Sequence, residues 1–154
     1  MVMSDFSVSK CYHIGVCVKN LGWTVSFFMD VLGCKLLEQS PRDPENQAFV
    51  TGVKDIEVTI AYMDCHSQLI EFMEYGGTAE LDHYRPRMVD GGHFHFCMMV
   101  DNVDAAVKAC LAYDPEISTL SPSPLVVDSG PNKGNTVILV VLPDGMMIEF
   151  TNNR

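Results

Sequence analysis

Four residues stand out by type and spacing: His13, Glu71, His95 and Glu149, two His-then-Glu pairs separated by 58 and 54 residues. Two neutral imidazoles and two carboxylates form a four-donor N/O set of formal charge −2. Such a set suits one divalent ion of borderline or hard character, Zn, Ni, Co, Mn or Fe. A Lewis acid of this kind polarises a carbonyl and makes the adjacent C–H acidic. A carboxylate that loosens from the ion is then a general base already within reach. In octahedral geometry four protein ligands leave two positions, which two adjacent oxygens of one small substrate can occupy.

The elements that must carry these residues repeat. Residues 13–25 align without a gap on residues 95–107, matching His13 with His95, Val18 with Val100, Asn20 with Asn102 and Val25 with Val107. Further on, Ile70-Glu71-Phe72 matches Ile148-Glu149-Phe150. Each half therefore reads as a His strand, a helix and a later Glu strand. In the first half Asn20 caps a helix with Leu21, Val25, Phe28 and Leu32 at helical spacing, ended by Gly33. In the second, Asn102 precedes the stripe Val103, Ala106, Val107, Cys110, Leu111, and Pro115 lies beyond its end. Strands are predicted near residues 34–39, 47–52 and 56–63, and again over 136–142. The expected organisation is one α+β domain over 1–154, with a first module at about 11–75, a linker at about 76–92 and a second module at about 93–152.

Alternation along a strand sorts the residues into faces. Opposite the four marked residues fall Tyr12, Ile14, Val16, Val18, Ile70, Phe72, Phe94, Phe96, Met98, Val100, Ile148 and Phe150, the face that helices should cover. On the marked face stand Gly15, Cys17, Leu69, Met73, Tyr75, Cys97, Met99, Met147 and Thr151. A solvated sheet face carries Lys, Ser and Asp, so this composition points to a partly dry concave site, where unpaired imidazoles and carboxylates are costly. Cys17, Met73, Tyr75, His93 and Met99 are expected to line the substrate. His83, Arg85 and Arg87 form the one tight basic group, suited to an anionic tail.

Composition narrows the partners. With 10 Lys and Arg against 20 Asp and Glu the net charge is −10, so the phosphate attraction behind nucleic-acid or anionic-membrane binding is missing. The longest wholly apolar run, residues 137–142, is far short of the roughly 20 residues that span a bilayer. The first residues lack the basic and apolar stretches of a secretory signal, which predicts a cytoplasmic protein whose six scattered cysteines stay reduced.

The pieces Tyr12-His13-Ile14-Gly15-Val16, Asp30-Val31-Leu32-Gly33, Gly92-His93-Phe94-His95 and Pro143-Asp144-Gly145 running to Ile148-Glu149-Phe150 resemble the vicinal oxygen chelate superfamily, the glyoxalase and bleomycin-resistance fold. That resemblance implies two tandem βαβββ modules, an eight-stranded curved sheet around a metal-binding cleft, and a homodimer. It implies His13, Glu71, His95 and Glu149 as ligands, with Glu71 and Glu149 catalytic and Glu149 the mobile base. The implied activity is that of a glyoxalase-like lyase or isomerase, moving a proton on a small carbonyl substrate through an enediolate-like intermediate. Two departures argue against glutathione: Cys17 stands where bacterial glyoxalase I enzymes carry Arg, and Tyr75 where they carry Asn. Methylmalonyl-CoA epimerases of the superfamily usually have Gln at the place of Glu71. Extradiol-type ring-cleaving dioxygenases and metal-free bleomycin-resistance binding proteins are the other branches the resemblance leaves open.

Overall fold

A computed structural model describes residues 6–82 and 85–152. The chain forms two compact units, Met1–Leu81 and Asp82–Arg154. The first contains β1 (Ile14–Cys17), α1 (Leu21–Asp30), β2 (Lys35–Pro41), α2 (Pro44–Thr51), β3 (Ile56–Cys65) and β4 (Gln68–Gly77). The second contains β5 (His95–Met99), α3 (Val103–Tyr113), β6 (Ser118–Thr119), β7 (Leu125–Val126), β8 (Thr136–Val141) and β9 (Met147–Thr151).

The repeated asparagines do the local work expected of them. The Asn20 side chain accepts from the Trp23 amide and that of Asn102 from the Ala105 amide, each at 2.9 Å, so α1 and α3 start at equivalent places. Gly33, at φ 69°, turns the chain out of α1, its amide reaching Met29 O at 3.2 Å. The Leu21 amide is taken by Glu74 Oε2 at 2.5 Å, which ties the start of α1 to β4.

Each unit builds its own sheet, ordered β1-β4-β3-β2 in the first and β5-β9-β8-β6 in the second, with β7 also paired to β8. In both, the first strand lies parallel to the last. Helix α1 covers one face of the first sheet: Phe27, Phe28, Phe72 and Ile70 are fully buried, and the Phe28 and Phe72 rings meet edge to face at 4.7 Å. Phe96, Ile148 and Phe150 are buried on the corresponding face of the second.

Three expectations need correction. Residues 47–51 are helix, not strand, and Gly52 is its cap, because Asp43 caps the Asn46 amide at 2.8 Å, Pro44 takes the first turn and Gly52 closes the helix at φ 73°. These local caps override the β preference of Phe49 and Val50, both of which stay exposed. Tyr12 and Phe94 precede their strands and are exposed rather than covered by helices. The strands number nine among the described residues, in two sheets, because the segment after Ser121-Pro122 adds the short β7.

Among the described residues no helix is long and apolar enough to cross a membrane. Asn20→Ala and Asn102→Ala should each destabilise the fold by about 1 kcal/mol, read as a lower urea midpoint at unchanged slope.

Candidate metal and active site

Strand register brings His and Glu together in each unit. In the first, Gly15 of β1 lies opposite Glu71 of β4; in the second, Cys97 of β5 lies opposite Glu149 of β9. The histidines, two residues earlier, share that face diagonally. His13 Nε2 stands 3.2 Å from Glu71 Oε2, and His95 Nε2 stands 3.3 Å from Glu149 Oε2. Two atoms bound side by side on one ion at about 2.1 Å are roughly 3.0 to 3.4 Å apart, depending on octahedral or tetrahedral angles. Both pairs therefore have the separation and the donor types of neighbouring metal ligands. Within neither unit do three His, Cys, Asp or Glu side chains of the described residues gather as a complete ligand set.

The surroundings of the two pairs differ. Glu71 is buried, and its second oxygen, Oε1, accepts from the Tyr62 hydroxyl. That hydrogen bond, with burial behind it, pushes the Tyr62 phenol above its ordinary pKa, so Tyr62 is a protonated donor. The Tyr62 ring also meets His13 edge-on at 5.9 Å. His13 Nδ1 is buried without a partner. In the second unit the second oxygen of Glu149 meets, among the described residues, only the Cys97 thiol, at 3.4 Å, while His95 Nδ1 meets His93 Nε2 at 3.2 Å. Burial, then the Glu149 charge, pushes the Cys97 thiol up to about 11. In the tautomer that puts the proton on Nδ1, His93 accepts it and leaves His95 Nε2 free to bind a cation.

The other predicted lining residues lie on the marked face. Met73 and Tyr75 are half-buried, with the Tyr75 hydroxyl 3.7 Å from Met73 Sδ. Burial, then the charges of Cys17 and Glu71, raises the Tyr75 pKa; Cys17 is raised by burial and then by Glu71. Cys17 and Met99 are exposed, whereas Thr151 is buried with its hydroxyl unpartnered. The basic group is otherwise engaged: Arg85 donates to Pro143 O at 2.9 Å and Arg87 clamps Asp90 at 2.7 Å, while His83 lies outside the described residues. A cavity of about 290 Å³ in the first unit, bordered by Leu21, Gln39, Thr59 and Glu74, opens mainly on the α1 side of the sheet, opposite the Glu71 carboxylate.

Tyr62 was not among the residues singled out above, although a signal was present. A two-residue turn at His66-Ser67, both at positive φ, fixes the antiparallel register of β3 and β4 and sets Tyr62 opposite Glu71.

The comparisons agree with this frame. The chain belongs to the Glyoxalase/Bleomycin resistance protein/Dioxygenase superfamily, whose profile matches residues 10–121. It is 27% identical over 146 residues to a 2-epi-5-epi-valiolone epimerase of Actinomyces sp, covering 92% of this chain and 78% of that one. It is 23% identical over 126 residues to the mitochondrial methylmalonyl-CoA epimerase of Dictyostelium discoideum, covering 81% and 68%. Among solved structures, a glyoxalase family protein from Bacillus cereus shares the fold with a TM-score of 0.80 at 18% identity, covering 97% of each chain. The fosfomycin resistance protein FosX of Listeria monocytogenes, solved with Mn(II) and sulfate, shares it with a TM-score of 0.63 at 15% identity, covering 96% and 95%.

A side chain on Gly15 would crowd the first pair, since a Cβ there stands 3.2 Å from Met73 Cε and 3.4 Å from Glu71 Oε2. Gly15→Val should weaken Co(II) binding about tenfold or more in a visible-absorbance titration, with the metal-free melting temperature little changed. Gly22→Ala, whose Cβ meets nothing closer than Asn20 Oδ1 at 3.6 Å, should bind Co(II) as the parent does.

Proposed function

We propose that this protein is a metal-dependent isomerase of the epimerase type, acting on a small carbonyl compound with neighbouring oxygens. His13, Glu71, His95 and Glu149 are the ligands of one divalent ion in this reading. The observation that carries it is the recurrence, at equivalent register positions of two units, of a His Nε2 and a Glu Oε2 at neighbouring-ligand separation. When bound, the ion supplies the Lewis acidity that makes a C–H beside a carbonyl removable near neutral pH. The epimerase activity named for both relatives is chemistry of the same type, and it favours the isomerase over the lyase branch.

The chain's own residues divide the remaining work. Glu71, held on both oxygens, keeps its place. Glu149, with one oxygen on a weak thiol donor, is free to turn toward substrate, take the proton from carbon and return it. Met73 and Tyr75 provide an adaptable, partly apolar lining for the carbon skeleton. Cys17 in place of a cation removes the partner that a glutathione carboxylate needs, which argues against a glutathione adduct as substrate. The same reading takes the protein as a homodimer working in the cytoplasm.

Elemental analysis of protein purified without added metal should find about one divalent ion per chain, lost in His95→Ala and Glu71→Gln. Offered methylmalonyl-CoA or a valiolone-type ketone in heavy water, the parent should incorporate deuterium beside the carbonyl. Glu149→Gln should slow that incorporation by about 10²-fold or more while keeping most of the metal. Ligand binding indifferent to chelators, with no exchange, would instead make the protein a metal-free binding module.

A further inference from the structure

The two carboxylates occupy equivalent places in two related units, and their cross-strand neighbours differ: Gly15 against Cys97 on the parallel side, and a second pair on the antiparallel side. Glu71 of β4 faces Tyr62 of β3, whereas Glu149 of β9 faces Leu139 of β8. The Tyr62 hydroxyl donates to Glu71 Oε1 while Oε2 faces His13, so neither oxygen of Glu71 is free. Leu139 has no group to donate, and Glu149 Oε1 is left with the Cys97 thiol at 3.4 Å. Exposure follows the same order, the Glu71 side chain at 12% and that of Glu149 at 22%.

Tyr62 is itself braced. Its ring packs against His13 on one side, and on another the Arg42 guanidinium lies 5.9 Å from its centroid. Arg42 is held in turn by Glu38 Oε2 at 2.8 Å. The phenol thus sits in a row Glu38, Arg42, Tyr62, Glu71, His13 within the first unit, every member touching the next. Turning Glu71 away from His13 would break a hydrogen bond to a charged acceptor, among the stronger kinds a side chain makes. Turning Glu149 away from His95 breaks, besides that contact, only the thiol contact among the described residues.

We propose that Tyr62 is a positioning residue that locks Glu71 as the stationary carboxylate of the site, and that the Tyr62/Leu139 difference is what leaves Glu149 as the one able to move. The proposal rests on the metal reading above, and it assigns Tyr62 no contact with substrate. The two units have thereby diverged in complementary ways: the first clamps its carboxylate through Tyr62, and the second clamps its imidazole through His93.

The test uses the full chain loaded with Co(II), following its visible absorption and the rate at which EDTA removes the ion, beside the melting temperature of the metal-free protein. Tyr62→Phe, which keeps the ring and removes the hydroxyl, should release Co(II) about 10- to 100-fold faster and shift the visible band, with the metal-free melting temperature within a few degrees of the parent. Leu139→Tyr, which offers the second carboxylate the missing donor, should slow release several-fold. A purely structural role would instead lower the metal-free melting temperature and leave band and release rate alone, which overturns the proposal. If Tyr62→Phe matches the parent while Glu71→Gln alters band and release, the proposal is wrong and the metal assignment stands. If Glu71→Gln also matches the parent, the metal assignment fails and the proposal falls with it.

Discussion

The parallel pairing of first and last strands is the constraint on which the rest depends. A parallel pair cannot be closed by a tight turn, so the whole of each unit lies between its two site-bearing strands. The reward is proximity: residues more than fifty positions apart become hydrogen-bonded neighbours, and a diagonal step of two residues sets imidazole against carboxylate. A slip of one residue in either pairing would send the glutamate to the helix-covered face. The buried contacts of Ile70 and Phe72 with α1, and of Ile148 and Phe150 in the second unit, hold that register, because a slip would expose them. Apolar packing on one face thus sets the chemistry of the other.

On this shared frame the two units have grown different supports. Equivalent to His93 in the first unit is Cys11, whose thiol turns back to the His13 carbonyl at 3.8 Å rather than to the ring. His13 Nδ1 is consequently unpartnered, while His95 Nδ1 is met. The carboxylates show the reverse. In the reading proposed above, proton transfer at a metal would need some ligands that stay and one that yields, and equal support on all four would provide only the first. In that reading, unequal neighbours reach the division while the four proposed donors stay the same in type.

Of the cations near the segment joining the modules, Arg87 is bound to Asp90 and Arg85 to a backbone carbonyl, so neither is an idle anion receptor. Desolvation and nearby negative charge keep the thiols of Cys17 and Cys97 protonated, which makes them packing and weak-donor groups rather than nucleophiles. The reactive capacity of the face resides in its carboxylates and imidazoles.

Much of this was legible in the residues themselves. The repeat around His13 and His95, the asparagine caps, the glycine stop at Gly33 and the sorting of faces within the strands are local properties, set by side-chain geometry within a few positions, and the structure bears them out, Tyr12 and Phe94 ahead of the strands excepted. The α2 caps are local too: Asp43 and Pro44 start a helix that the β-forming Phe49 and Val50 do not prevent. The turn at His66-Ser67 contained the Tyr62–Glu71 pairing as well, since a hairpin fixes its own register. Only the tertiary structure decided which strand lies beside which. Nothing within β1 or β4 specifies that they are neighbours, because parallel partners share no turn and are chosen by the packing of everything between them. The unequal grip on Glu71 and Glu149 follows from that choice, through neighbours that come together only when the sheets form.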